Sequence, residues 1–82
     1  MNIKQFAPKD LGGNEISIQD LNKLIGNAIY FASADISVCE LSRKIYNEED
    51  FEPTETLIES AKNMPRVAPW LIEQVIVFLE NK

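Results

Sequence analysis

Apolar residues recur at helical spacing in four segments of the chain. Ile18, Leu21, Leu24, Ile25, Ala28, Ile29, Phe31 and Ala32 share one broad face of a helix expected over 18–33. Tyr30 falls on its opposite side. A second helix is expected over 38–47, with Val38, Leu41 and Ile45 inward and Cys39 and Tyr46 at the edge of that face. A third, over 53–63, would bury Leu57, Ile58, Ala61 and Met64. The fourth, over 69–81, carries the widest apolar arc: Leu71, Ile72, Val75, Ile76, Phe78 and Leu79. That width predicts a central helix. Val75–Leu79 alone would pass for a strand, but its flanks keep the helical period, so no strand is expected.

A repeated hexapeptide marks two helix starts. ISIQDL begins at Ile16, and ISVCEL begins twenty residues later at Ile36. In a capping box, a serine accepts from an unpaired N–H of the first turn while an acid three residues on reaches back to the serine's own N–H. Ser17 with Asp20, and Ser37 with Glu40, fit that spacing in its acidic form. Ile16–Leu21 and Ile36–Leu41 fit the accompanying hydrophobic staple. Each cap is expected to contribute about 1 kcal/mol. The recurrence is therefore one structural device used twice. Pro53 suits the first turn of the third helix, and Pro65 and Pro69 separate the third from the fourth. Residues 1–15 read as a loosely attached N-terminal arm, with a short turn after Pro8 that Gly12-Gly13 ends. Phe6 and Leu11 are its side chains available to tuck against the rest. The expected fold class is all-α: a small four-helix bundle in one domain, 16–82, behind that arm.

The 82 residues suffice for one modest core but not for a core plus a deep catalytic cavity. Apolar residues form 45% of the chain, which suits a globular protein. The longest apolar runs, Ala28–Ala32 and Val75–Leu79, fall far short of the roughly 20 residues a bilayer span needs. No apolar stretch follows Lys4, so no signal peptide is expected. The single cysteine, Cys39, has no partner for an internal disulfide. These features predict a cytoplasmic protein. Thirteen acids against eight bases give a net charge of −5. Nucleic-acid binders carry basic stripes, so that balance points away from nucleic acid and leaves basic proteins as partners.

Candidate chemistry is sparse. DLGGNEIS, from Asp10, is similar to the carrier-protein pattern, but Glu15 stands where a modifiable serine is required. ISVCELSRKIYN is similar to the first helix of a helix-turn-helix. The next helix would then read DNA, and it offers Glu55 and Glu59 against Lys62 where basic or amide side chains are needed. With no histidine, no His-based triad, relay or metal site can form. Cys39 would lie in the first turn of a helix, where a thiol is activated, but it reads as a small side chain at the edge of the core. NEEDFEPTE lacks the alternating oxygen ligands and the glycine of a calcium loop. No catalytic residue, metal or cofactor is expected, and the chain does not read as an enzyme.

Two features remain for binding. Glu48, Glu49, Asp50, Glu52, Glu55 and Glu59 fall within twelve residues with no base among them. They read either as a solvated loop that favours the positive start of the third helix or as a docking patch for a basic partner. Trp70 lies one heptad before Val77, among Glu73, Gln74, Glu80 and Asn81. That places an aromatic on the polar side of the fourth helix, as an apolar interface anchor or beneath the N-terminal arm.

FASADISVCELSRKIY, residues 31–46, resembles the early helix-turn-helix segment of the colicin D immunity family, through Ile36-Ser37, Glu40, Leu41 and Ile45. These are small acidic helical proteins that bind and block a toxic tRNA-cleaving nuclease domain. The resemblance implies an immunity or inhibitor protein. The resulting expectation is an acidic protein-binding module, monomeric or homodimeric, that touches neither nucleic acid nor membrane. The alternative is a structural or regulatory subunit that self-associates around Trp70 and Val77.

Overall fold

The computed structural model describes residues 1–33 and 35–81. Ala34, within the 31–46 segment, and Lys82, at the end of the 16–82 domain, lie outside the described residues. A 3-10 turn, Ile3–Gln5, precedes four helices among the described residues: α1 (Leu21–Ala32), α2 (Ile36–Tyr46), α3 (Glu55–Ala61) and α4 (Pro69–Glu80). The small all-α bundle expected from periodicity is the fold observed. One apolar cluster runs through it, with Ile25 and Ile29 of α1, Val38 and Ile45 of α2, Leu57 of α3 and Val75 and Leu79 of α4 almost wholly buried.

The closest helix pair is α1 on α2, and α4 packs on α3. The wide arc of α4 therefore does not make it the central helix. Gly26 is the reason α1 and α2 approach so closely. A Cβ at that position would stand 2.9 Å from the Tyr46 Cβ and 3.0 Å from the Tyr46 backbone N and Cα. Alongside, the Asn22 side-chain amide donates to the Tyr46 carbonyl at 2.7 Å. Packing on the glycine side rotates the buried face of α1 away from Leu24 and Phe31. Both were expected inward; Leu24 is exposed at the rim, and Phe31 is 74% exposed.

Both expected capping boxes give way to other devices. Lys9 pairs with Glu15 in an isolated antiparallel bridge, and the Ile16 N–H donates to the Pro8 carbonyl at 2.8 Å. Those bonds hold residues 15 and 16 in extended pairing, so Ser17 cannot start a helix. α1 begins only after Asp20, which caps it in a left-handed conformation (φ 54°) without a side-chain cap bond. In α2 the N-cap is Asp35, whose carboxylate accepts from the Val38 N–H at 3.1 Å. Ser37 is inside the helix, its hydroxyl donating to the same carboxylate. Asp and Ser are comparable N-caps, and the carboxylate additionally meets the positive end of the helix. Ile36 is consequently 77% exposed and staples nothing. α3 starts after Thr54, whose Oγ1 accepts from the Leu57 N–H at 3.1 Å. Pro53 is buried just ahead of that cap rather than inside the first turn. Pro69 opens α4 as expected.

The N-terminal arm is pinned to the bundle, not loose. Ile3 joins the core, and the Phe6 ring packs against Phe78 at 5.2 Å between centroids. The Phe51 N–H donates to the Met1 carbonyl at 2.8 Å. The Gln74 side-chain amide grips the Lys9 backbone from both sides, accepting from its N–H at 2.8 Å and donating to its carbonyl at 2.7 Å. Leu11 does not tuck in; it sits at the tip of a turn built on Asp10, fully exposed. The Asp10 carboxylate accepts from the Gly12 and Asn14 N–H groups at 2.9 Å each, and Gly13 takes a positive φ of 84° that suits glycine.

Candidate functional site

The acidic segment leaves α2 through a sharp reversal. The Asn47 N–H donates to the Arg43 carbonyl, and Glu48 then turns left-handed, with φ 58°. Two apolar plugs fix the path of the chain beyond Glu48. Phe51 and Pro53 are buried, and the charged residues between and around them are not. Alternation of buried and exposed positions over 50–54 is what an extended strand of chain does when one side meets a core. Asn2 ties the same stretch from the arm. Its side-chain amide donates to the Glu48 carbonyl at 2.8 Å and to Asp50 Oδ1 at 3.0 Å. The acids thus stand on a segment held at the Glu48 carbonyl, the Asp50 side chain and the buried Phe51 and Pro53.

Glu48, Glu49, Asp50, Glu52, Glu55 and Glu59 are all exposed. In α3, Leu57, Ser60 and Ala61 point inward, which puts Glu55 and Glu59 on the opposite face, one turn apart. Lys62 bridges Glu59 at 3.1 Å, a surface contact worth little. No other ion pair forms among the described residues. With Asp50 accepting from Asn2, four of the six carboxylates are left to solvent or to a partner.

Trp70 and Val77 lie elsewhere on the chain, on the outer side of α4. Trp70 is 43% exposed and Val77 61% exposed, with exposed Glu73 and Glu80 between and beside them. Phe6 does not cover Trp70; it occupies Phe78. Val77 borders a shallow depression with Phe6, Lys9 and Gln74, where the arm crosses α4.

Two carboxylates outside this set are held below their ordinary pKa of 3.8. Asp10 is lowered chiefly by the Asn14 N–H, with help from the Asn14 side chain and the Gly12 and Gly13 N–H groups. Asp35 is lowered by the Ser37 hydroxyl and then by the Val38 N–H. Both shifts arise from capping and turn bonds. Cys39 is half-buried, its sulfur 3.1 Å from the Ser33 hydroxyl. Among the described residues, no three His, Cys, Asp or Glu side chains converge to hold a metal ion. No helix among them is long and apolar enough to cross a membrane.

Periodicity alone did not reveal three features that shape the surface. Arg43 lies over the Tyr30 ring at 5.7 Å, and Tyr30 meets Phe31 edge-on at 5.8 Å. Asn2 anchors the acidic loop across a separation of 46 residues. Gly26 sets the α1–α2 distance, and its signal was a lone glycine inside a helical pattern. No family model, curated protein or solved structure gives a significant match to the chain.

Proposed function

We propose that this chain is an acidic protein-binding module, an immunity or inhibitor protein of the cytoplasm that blocks a basic partner such as a toxin nuclease domain. It works by occupancy rather than catalysis. Glu48, Glu49, Asp50, Glu52, Glu55 and Glu59 would enter the cationic cleft that a nuclease keeps for its substrate's phosphates, denying it by charge and shape. The observation that carries this reading is the exposure of all six acids on an anchored segment, with a single surface ion pair among them. Anchoring matters because a preformed charged surface loses less conformational freedom on docking. The resemblance of residues 31–46 to colicin D immunity proteins points the same way.

Affinity capture on the immobilised native chain, washed at rising salt, tests it. A basic protein should be retained, released by salt, and not captured by a variant in which Glu48, Glu49, Glu52, Glu55 and Glu59 are changed to Gln and Asp50 to Asn. Asn at position 50 keeps the oxygen that Asn2 requires. Equal capture by that variant would refute the mechanism.

A second reading rests on the exposure of Trp70 and Val77: a subunit that self-associates through the outer side of α4. Tryptophan is enriched where interfaces carry their energy. Sedimentation at high concentration should then show a dimer that Trp70→Ala dissolves, and a strict monomer would remove this reading.

A further inference from the structure

We infer that α1 carries a second, oppositely charged docking surface, a groove that receives an acidic amphipathic helix from a partner protein. The groove encloses about 650 Å³ between α1 and the turn joining α3 to α4. Leu24, Ala28 and Phe31 line it along α1 at i, i+4 and i+7. This large-small-large order makes a notch. Leu24 and Phe31 are exposed, and Ala28 forms a buried floor between them. A ridge on one helix packs into such a gap on another, and the heptad from Leu24 to Phe31 matches the repeat of an incoming helix.

Charge selects the occupant. The groove is lined by Lys23 and Arg66 against one carboxylate, Asp20, in a chain whose overall charge is −5. Neither Lys23 nor Arg66 has an acidic partner within salt-bridge distance among the described residues. A helix that places one large apolar side chain in the Ala28 notch brings its residues one turn away over the groove's edges. Glu or Asp there would meet Lys23 and Arg66, whereas Lys or Arg would meet like charge. The apolar anchor supplies affinity and the two cations supply orientation, as in other helix-in-groove complexes. A second copy of this chain is the competing occupant, and it would show as a dimer in sedimentation.

This surface is independent of the acidic segment, so either proposal can fail alone. The test is selection from a display library of helical peptides, varied at the apolar and flanking positions, on the intact native protein. Phe31→Ala and Lys23→Glu proteins serve for counter-selection; both side chains are exposed, and circular dichroism checks that each variant folds. The expected winners carry a large apolar residue flanked by Glu or Asp one turn away. Their Kd by fluorescence anisotropy should weaken at least about tenfold on Phe31→Ala and also on Lys23→Glu. Any of three results would overturn the inference: no enrichment, winners flanked by Lys or Arg, or winners indifferent to both substitutions. A dimer in sedimentation that Phe31→Ala abolishes would also overturn it, by giving the face to a second copy.

Discussion

Replacing Gly26 by alanine tests the packing that organises the bundle. On helix propensity alone, the change should stabilise α1 by about 1 kcal/mol. The structure predicts the opposite sign. The added methyl would meet the Tyr46 Cβ at 2.9 Å and its backbone N and Cα at 3.0 Å, where carbon contacts settle near 3.5–4.0 Å. Two of those three atoms are backbone, so no rotamer change relieves the overlap. The helices must separate by roughly 0.5–1 Å, which is the overpacking case and costs about 1–3 kcal/mol. Separation also stretches the 2.7 Å bond from Asn22 to the Tyr46 carbonyl. After the propensity gain, a net loss of about 1 kcal/mol remains, and in a domain of this size that lowers Tm by roughly 4–8 °C. Thermal melts followed by circular dichroism measure it. Asn27→Ala, on the exposed side of the same turn, is the control and should be neutral or slightly stabilising. A Gly26→Ala protein that melts higher than the native chain would refute the close approach of α1 and α2.

Further outcomes are expected from the same contacts. Gln74→Ala removes both bonds to the Lys9 backbone and should release the arm, seen as faster chymotryptic cleavage near Phe6 while the helical signal persists. Thr54→Ala deletes the α3 cap and should cost about 1 kcal/mol in urea unfolding, with an unchanged m-value. Asp35→Ala should lower Tm more than Ser37→Ala, the reverse of what the repeated hexapeptide suggests. Asp10 and Asp35 have lowered pKa values in the folded chain, so their contributions are complete above the unfolded value near 3.8. They are lost as pH falls through the lower folded values. NMR titration of both side-chain carboxyls should therefore place their midpoints below those of the free residues.

Periodicity was a reliable guide to which elements form, because α2, α3 and α4 each bury the apolar stripe their spacing defines. It was a poor guide to rotation and to ends. The apolar arc of α1 is wider than the face the bundle can cover, and which part is buried depends on Gly26, which carries no hydrophobicity at all. Leu24 and Phe31 therefore stay outside the core and line the groove instead. Helix starts depart from the hexapeptide spacing because a capping box competes with bonds that spacing does not show. Residues 15 and 16 are claimed by pairing with residues 8 and 9, and Asp35 lies closer to the end of α2 than Ser37 and carries a charge. The acidic segment was legible as a run of like charge, but its anchoring was not. Asn2 meets Glu48 and Asp50 only once the arm is folded back, and nothing local at Asn2 announces that contact.

The acidic surface as a docking site is tested most directly by the affinity of the captured basic partner for two proteins, native and six-acid-neutralised, across a salt series. The native chain should bind tightly at low salt and lose affinity steeply as salt rises. The neutralised chain, with an unchanged circular dichroism spectrum, should bind weakly with a nearly flat salt dependence. Equal affinities and equal salt slopes for the two proteins would contradict the role assigned to Glu48, Glu49, Asp50, Glu52, Glu55 and Glu59.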